Sequence, residues 1–276
     1  MGSIRVLTRR DQSEVRRVLA LRPIDNVLVA SRVARGGVER VTLGNDLIGY
    51  WEAGRLVSLL SDGYSLHPVG ATPAALDAFA GRLEHRRCTS IVGVRDEAMG
   101  LWQRLCDQSF TQWASPRDVR DHQQVMAISD RVRVGAETGV APVGTRHLDS
   151  YLEAAVAMYT EEVGVAPLDP QGAYRDHVAG LMMKGQAYGV VDRGRVVFKA
   201  DVVAAAGRLC QVGGVWLAPE LRGLGLSESL MAGVVTGCRR TYPTVTLYVN
   251  SYNLAAVRCY TAVGFTTVSE CATILY

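Results

Sequence analysis

Apolar residues recur along this chain with two spacings, and segments of the two kinds alternate. Short apolar runs bounded by turn residues indicate strands, whereas apolar residues three and four positions apart indicate helices. Thr72 followed by Pro73 predicts a helix start, because threonine caps and proline suits the first helical position. The first half is further predicted to contain a strand at 4–8, helical structure over 10–35, a two-stranded hairpin within 46–60, a strand at 90–94 and a helix at 95–105.

The periodicity fades between 129 and 142, where Gly, Pro and charged residues accumulate, and the order of elements then begins again. We place a boundary there, which gives predicted domains 1–134 and 135–276. Because both halves share one order of elements, the sequence predicts a mixed α/β fold of two similar domains. The second half is predicted to contain a strand at 140–145, helices at 147–164 and 174–184, strands at 187–191, 195–204 and 208–218, a helix at 226–240, a strand at 244–250, a helix at 254–263 and a last strand.

Composition narrows the classes of protein to consider. The chain is 48% apolar, which is enough for a sizeable core, and its net charge is only +3, so no nucleic-acid partner is expected. It has no apolar run of about 18 residues and begins without the apolar region of a secretory signal. No membrane partner is therefore expected. Six cysteines without a C-x-x-C pair predict reduced thiols and a cytoplasmic location, and the histidines lack ligand spacing, so no metal is expected.

The stretch VWLAPELRGLGLS at 215–227 joins a predicted strand to a predicted helix through a glycine-rich turn. Gly223 and Gly225 leave the backbone accessible, and a helix start offers unpaired N–H groups and a partial positive charge. This combination suits an anion such as a pyrophosphate. The turn lacks the lysine of a Walker A loop, and Glu228 stands where a Rossmann fingerprint has its third glycine. From this stretch alone, a simple helix-start loop stays an alternative.

A second group of residues lies downstream, in the stretch LYVNSYNLAAVRCYTAVGF at 247–265. Asn253 is placed to cap the helix that starts after it. Ala256 and Tyr260 follow three and seven positions later, so they share one helix face with Asn253. Gly264 is expected to end this helix.

On these two groups of residues, the region 187–276 resembles the GNAT superfamily of acetyl-CoA-dependent N-acetyltransferases. The acetyl-CoA loop of that family runs Arg or Gln, two spacers, Gly, one spacer, then Gly or Ala, and this chain has Arg222, Gly225 and Ser227 there. Ser227 departs from the pattern, but it is small and keeps its N–H. The later family pattern, N-x-x-A-x-x-x-Y-x-x-x-G-F, is matched in full at 253–265, and the V-x-x-x-P lead-in at 215–219.

The order of elements extends the resemblance to the first half, which has no equivalent glycine turn. The chain is thus similar to tandem GNAT proteins with a degenerate first domain, as in mycothiol synthase-like proteins. The resemblance implies an α/β (α+β mixed sheet) fold class with two tandem GNAT-like domains. Each would be a mixed central sheet flanked by helices.

The resemblance also implies a site for acetyl-CoA as co-substrate. The pyrophosphate would meet N–H groups of the glycine turn, with a charge-assisted contact from Arg222. The pantetheine arm would pair with the main chain near Val215 and Leu217, as an added strand does. The residues implied to contact acetyl-CoA are Val215, Trp216, Leu217, Arg222, Gly223, Leu224, Gly225, Leu226, Ser227, Asn253, Ala256 and Tyr260.

Tyr260 is the expected general acid, because a phenol of pKa near 10 is protonated at neutral pH and can donate to a departing thiolate. An acceptor ammonium must lose a proton before attack, so a base is also expected. Glu161 and Glu162, near the end of the long helix, are the candidates, and Asp201 and the carboxylate of Tyr276 are weaker ones. The alternatives are a packing role for Tyr260 and a solvated helix end for the two glutamates.

The expected function is transfer of an acetyl group from acetyl-CoA to a primary amine by direct attack. The alternative is a non-catalytic acyl-CoA-binding regulatory or sensor module with the same fold. A peptide N-terminus, a lysine side chain, an antibiotic amine and a small metabolite all stay open as acceptors. The sequence does not decide the oligomeric state.

Overall fold

The computed structural model describes residues 2–83, 85–108, 110–167 and 171–276. In the first part of the chain the strands are β1 (Ser3–Val6), β2 (Asp46–Glu52), β3 (Arg55–Asp62), β4 (Ser65–Val69), β5 (Ser90–Val94) and β6 (Asp118–Ile128). The helices are α1 (Gln12–Leu21), α2 (Val27–Gly36), α3 (Arg40–Leu43), α4 (Pro73–Arg82), α5 (Arg95–Gln108) and α6 (Phe110–Trp113).

The second part of the chain follows the same plan. Its strands are β7 (Ala141–Pro142), β8 (Ala187–Asp192), β9 (Arg195–Ala206), β10 (Leu209–Leu217), β11 (Thr244–Asn250) and β12 (Thr266–Leu275). Its helices are α7 (Leu148–Val163), α8 (Ala173–Met183), α9 (Ser227–Cys238) and α10 (Leu254–Val263). Each part runs strand, helices, three strands, helix, strand, helix, so the repeated order predicted from the sequence is confirmed.

Contacts divide the chain into two compact units. Unit 1 contains Met1–Met126, Tyr248–Tyr252 and Thr267–Tyr276, and unit 2 contains Ala127–Leu247 and Asn253–Thr266. Almost all of β12 therefore belongs to unit 1, although it follows α10 of unit 2 in sequence. The domain bounds 1–134 and 135–276 stay a prediction.

Unit 1 is built on a mixed sheet with the strand order β1-β2-β3-β4-β5-β12-β6. β4 and β5 pair parallel, whereas β12 pairs antiparallel with β5, with Ile274 opposite Ile91. One apolar cluster joins the sheet to α4 and α5, and a second joins it to α1 and α2. The sheet is thus flanked by helices on both faces, as predicted.

Unit 2 has the strand order β11-β10-β9-β8-β7. β9 and β10 pair antiparallel, but their register shifts between Gln211 and Val212 and again between Gly213 and Trp216. β10 and β11 pair parallel only from Leu209–Gln211 to Thr244–Thr246, although β10 continues to Leu217. Beyond Gln211, the structure gives β10 no pairing with β11 among the described residues. This edge of β10 positions the candidate site.

Some of the predicted elements are wrong in extent. Helical structure over 10–35 is interrupted between α1 and α2, because Pro23 lacks an N–H and restricts the residue before it. The strand predicted at 140–145 shrinks to Ala141–Pro142.

The sequence also gave no prediction for β4 or β6. β4 contains Pro68, which weakens its strand pattern. β6 buries the polar Arg120 and Gln123, which hides its alternation. Gln123 is satisfied inside unit 1, where its amide donates to Asn250 Oδ1 at 2.8 Å and accepts from Thr273 Oγ1 at 2.6 Å.

Candidate active site

A glycine turn follows β10 in unit 2 and leads into α9. A short 3-10 turn, Pro219–Leu221, closes the end of the strand, and α9 begins at Ser227. Gly223 and Gly225 both have a φ of 76°, in the left-handed region that favours glycine. A Cβ added at either position would meet nothing within 4 Å, so substitution there costs backbone strain but no clash.

The glycine turn presents main-chain donors. Within the described residues, no protein acceptor takes the N–H groups of Gly223, Leu224, Gly225 or Leu226. Leu226 is the N-cap of α9 and supplies no side-chain hydrogen bond to the helix start. Unpaired N–H groups at a helix N-terminus bind anions such as phosphates, so these residues fit the pyrophosphate of a coenzyme A molecule.

Arg222 at the start of the turn is held by protein groups. Its Nε donates to the Leu217 carbonyl oxygen at 2.9 Å, and its Nη2 lies 2.8 Å from Glu161 Oε2 on α7. Glu161 also accepts from the Trp216 indole N–H at 3.1 Å. The structure thus brings together four of the residues singled out in the sequence. Glu161, one of the two glutamates predicted as a base, is thus already hydrogen-bonded to Arg222 and to Trp216.

The bulged part of β10 provides the second feature of the site. Gly213 lies opposite Asp201 and Trp216 lies opposite Lys199, and the register shift between them marks a bulge. A bulge bends its strand and re-aims the following residues. The main chain at Val215–Leu217, which the sequence singled out for the pantetheine arm, follows this bend directly.

Asn253 and Gly264 begin and end α10 as the sequence predicted. The Asn253 side-chain oxygen accepts the Ala256 N–H at 3.2 Å, and Gly264 ends the helix with a φ of 117°. These contacts fix the helix that carries Tyr260. The contacts of Asn253 and Ala256 with a bound coenzyme stay predictions.

Tyr260 lies on α10 with a buried ring. Its ring packs at a tilt against Phe265, with centroids 5.9 Å apart, and 8% of the residue is exposed. Among the described residues, no group forms a hydrogen bond with its hydroxyl. Burial raises the pKa of Tyr260, and the nearby Cys259 and Glu162 raise it further. The phenol therefore keeps its proton at neutral pH and has a free donor.

Glu162, which is exposed as Glu161 is, lies near the end of α7, and its charge contributes to the raised pKa of Tyr260. The structure thus brings Glu162 into the electrostatic neighbourhood of Tyr260. Tyr276 belongs to unit 1, where its N–H donates to the Thr89 oxygen at 2.9 Å and its hydroxyl to the Trp113 oxygen at 3.0 Å.

Asp201 forms part of a buried network that sequence reasoning missed. Its carboxylate lies 2.6 Å from the Lys199 ammonium and accepts the Tyr151 hydroxyl at 2.6 Å. The signal was present in the sequence, because Lys199 and Asp201 are the charged residues inside the apolar run VVFKADVVA at 196–204. Two such charges in a strand core require each other as partners.

Within the described part of the chain, no group of three or more His, Cys, Asp or Glu side chains is arranged to hold a metal ion. No described helix combines the length and apolar character needed to cross a bilayer.

Comparison with known families identifies part of the chain. Residues 175–272 match the family model described as "Acetyltransferase (GNAT) domain". These residues belong to the GNAT acetyltransferase family. The match includes the glycine turn, the bulged β10 and Tyr260, so the resemblance found in the sequence is confirmed. Residues 45–151 match a family described as a domain of unknown function (DUF4081).

Solved structures extend the GNAT fold to the whole chain. A GNAT-family acetyltransferase from Colwellia psychrerythraea is 12% identical with a TM-score of 0.59, and each chain covers 99% of the other. A GCN5-related N-acetyltransferase from Sphaerobacter thermophilus is 15% identical with a TM-score of 0.60, over 99% of this chain and 95% of that one. A tandem GNAT protein from the clavulanic acid pathway is 14% identical with a TM-score of 0.53, over 100% and 98%. At these identities the likeness concerns the fold, which is a tandem GNAT fold. No curated protein matches the chain.

Proposed function

We propose that this protein is an acetyl-CoA-dependent N-acetyltransferase that transfers an acetyl group to a primary amine by direct attack. The observation that carries the proposal is the glycine turn at the start of α9, where the N–H groups from Gly223 to Leu226 have no acceptor among the described residues. A diphosphate satisfies such donors and also suits the helix dipole. The coarser function, acyl transfer on a GNAT fold, follows from the family match over 175–272.

In this proposal the main chain of unit 2 binds the coenzyme. The N–H groups of the glycine turn hold the pyrophosphate, and the edge of β10 at Val215–Leu217 pairs with the amides of the pantetheine arm as a neighbouring strand would. Bound acetyl-CoA supplies an activated thioester carbonyl. Main-chain donors along the same edge would stabilise the charge that develops on its oxygen.

Tyr260 is the proposed proton donor to the departing thiolate. Its raised pKa keeps it protonated, and its hydroxyl forms no hydrogen bond with a described protein group. A donor of this kind speeds proton transfer by roughly 10²–10⁴-fold when it is positioned well. The remaining role is that of a base which removes the proton from the acceptor ammonium.

Glu162 is a better candidate for this base than Glu161. Glu161 accepts hydrogen bonds from Arg222 and from the Trp216 indole, so a proton from the acceptor would compete with these donors. Glu162 is exposed and lies close enough to Tyr260 to affect the pKa of the phenol. The acceptor amine attacks the thioester beside the proton donor, so a base close to Tyr260 would also be close to the amine.

Calorimetry with coenzyme A and a thiol-release assay over a panel of amines test the proposal. We expect binding by the natural chain and loss of binding in Gly225→Val, because a β-branched residue disfavours the left-handed backbone and narrows the approach of an anion. Gly194→Val is the matched control, since Gly194 is also left-handed, with a φ of 84° and no atom within 4 Å of an added Cβ. Equal loss in both variants would reflect strain alone.

The outcomes separate the candidate functions. Binding with thiol release on at least one amine supports the enzyme. If the protein binds coenzyme A but releases no thiol with any amine of the panel, it is a non-catalytic acyl-CoA-binding module. No binding by the natural chain would overturn both.

A further inference from the structure

Lys199 is a fully buried lysine in the middle of β9, with 0% of the residue exposed. Its ammonium donates to Asp201 Oδ2 at 2.6 Å and to the Gly214 carbonyl oxygen at 2.8 Å. It also lies 5.4 Å from the centre of the Tyr151 ring. A buried ammonium is costly unless partners surround it, so this arrangement is specific.

Asp201 completes the network from the same strand. Its second oxygen, Oδ1, accepts the hydroxyl of Tyr151 on α7 at 2.6 Å. The same hydroxyl lies 3.1 Å from the Tyr188 carbonyl oxygen, a second possible acceptor that links α7 to β8. The network of β9 and α7 side chains thus reaches β10 through one contact, from the Lys199 ammonium to the Gly214 carbonyl oxygen.

Gly214 is shaped to receive this network. It lies in the β10 bulge with a φ of 57°. A Cβ built on Gly214 would stand 2.7 Å from Asp201 Oδ2 and 2.9 Å from Lys199 Nζ. Only glycine lets the ion pair approach the bulged main chain so closely.

We propose that Lys199, Asp201 and Tyr151 are positioning residues that lock the β10 bulge and thereby aim the main chain of Val215–Leu217 at the pantetheine arm. The ammonium holds the Gly214 carbonyl oxygen in the bulged conformation, and the carboxylate and the phenol hold the ammonium. Apolar side chains could fill the same space, but they would leave that carbonyl oxygen unheld. The inference rests on the proposed function, because it gives this edge of β10 the task of receiving coenzyme A.

The test uses a variant in which the ion pair is replaced as a unit. Removing one partner leaves an uncompensated buried charge, whereas apolar replacement of both partners is often neutral for stability. In Lys199→Met/Asp201→Leu, Tyr151 keeps the Tyr188 oxygen as an acceptor. The control is Arg175→Gln/Asp149→Asn, which removes an exposed ion pair of 2.8 Å between α8 and α7.

Two readouts are measured on the full chain. Hydrogen exchange of the peptide covering 209–217, measured without coenzyme, reports on the β10 bulge. Calorimetry measures the affinity for coenzyme A, which depends on the β10 main chain at Val215–Leu217. We expect the double variant to melt near the natural chain, to exchange faster over 212–217, and to bind coenzyme A about ten- to a hundredfold more weakly, as a small misplacement of a binding edge would produce. The control pair should leave both readouts unchanged.

Unchanged exchange and unchanged coenzyme A affinity in the folded double variant would overturn the inference and leave the proposed function standing. If the double variant does not fold, Tyr151→Phe replaces it, and unchanged exchange over 212–217 in that variant overturns the inference too. If the natural chain binds no coenzyme A, the proposed function fails and the assigned task of this edge fails with it. Exchange over 212–217 then still decides whether the network locks the bulge.

Discussion

The guanidinium of Arg222 lies 2.8 Å from the carboxylate of Glu161, which joins the glycine turn to α7. Both side chains are nearly half exposed, at 45% and 46%. An anion bound at the turn must therefore share Arg222 with a carboxylate that also repels it. Glu161 in this position opposes anion binding while it orders the arginine.

Glu161→Gln should tighten the binding of coenzyme A. The amide removes the competing charge but can still accept a hydrogen bond, so Kd should fall by about three- to tenfold, in keeping with roughly 1 kcal/mol for an exposed pair. Calorimetry at low salt measures the change. Glu153→Gln, an exposed carboxylate on the same helix, is the control and should change little. Weaker binding by Glu161→Gln would mean that ordering of Arg222 outweighs competition.

Tyr260→Phe should separate catalysis from binding. The hydroxyl has no protein partner among the described residues, so its loss should change the free energy of unfolding by less than about 1 kcal/mol. Turnover should fall by roughly 10²–10⁴-fold if the phenol donates a proton. Tyr242→Phe, at a half-buried position after α9, is the control and should leave turnover unchanged. A steady-state thiol-release assay measures turnover. Full turnover in Tyr260→Phe would mean that this side chain only packs.

Gly214→Ala should be much more damaging to stability than Gly207→Ala. Both glycines have a φ of 57°, but an added Cβ meets nothing within 4 Å at Gly207, whereas it meets Asp201 and Lys199 at Gly214. The strain of a left-handed alanine costs roughly 1–2 kcal/mol. Disruption of the buried pair should add about 3–5 kcal/mol at Gly214 alone. Denaturant unfolding measures the difference, and equal losses would show that the ion pair moves aside freely.

His67 should make the chain less stable as the pH falls below neutrality. Burial and, secondarily, the charge of Arg32 lower the pKa of His67 to about 3, and its Nε2 has no hydrogen-bond partner within the described part of the chain. Above pH 6.5 the imidazole is neutral in both the folded and the unfolded state. Between about pH 6.5 and pH 3 only the unfolded state takes up the proton, so stability falls by up to about 1.4 kcal/mol per pH unit.

His67→Gln should flatten this pH dependence, because glutamine stays neutral throughout. The measurement is the free energy of unfolding at several pH values between 7 and 4. His177→Gln, at an exposed position, should leave the natural slope in place. The same slope in His67→Gln as in the natural chain would exclude this histidine as its source.

Local signals predicted much of the candidate site. Asn253 caps α10 and Thr72 caps α4, with Ala75 N–H donating to Thr72 Oγ1 at 3.2 Å. Caps, glycine turns and helix faces depend on residues that are close in sequence, so their chemistry can be read from spacing. The left-handed backbone at Gly223 and Gly225 belongs to the same class.

Features that depend on tertiary register could not be read in this way. The sequence shows Lys199 and Asp201 two positions apart, but not that Gly214 and Tyr151 complete their network. The pairing of Glu161 with Arg222 likewise joins residues that are distant in sequence, and it changes which glutamate suits the role of base. Pro23 is a different case, because a proline is a local signal, and α1 and α2 are separated around it.

The place of β12 in unit 1 has a consequence for synthesis of the chain. Ile91 of β5 finds its cross-strand neighbour Ile274 only after residues 266–275 have left the ribosome. Until then the edge of β5 that later pairs with β12 has unpaired N–H and C=O groups, which are a template for aggregation. Trimming residues 267–276 would therefore open the amino-terminal sheet, far in sequence from the cut.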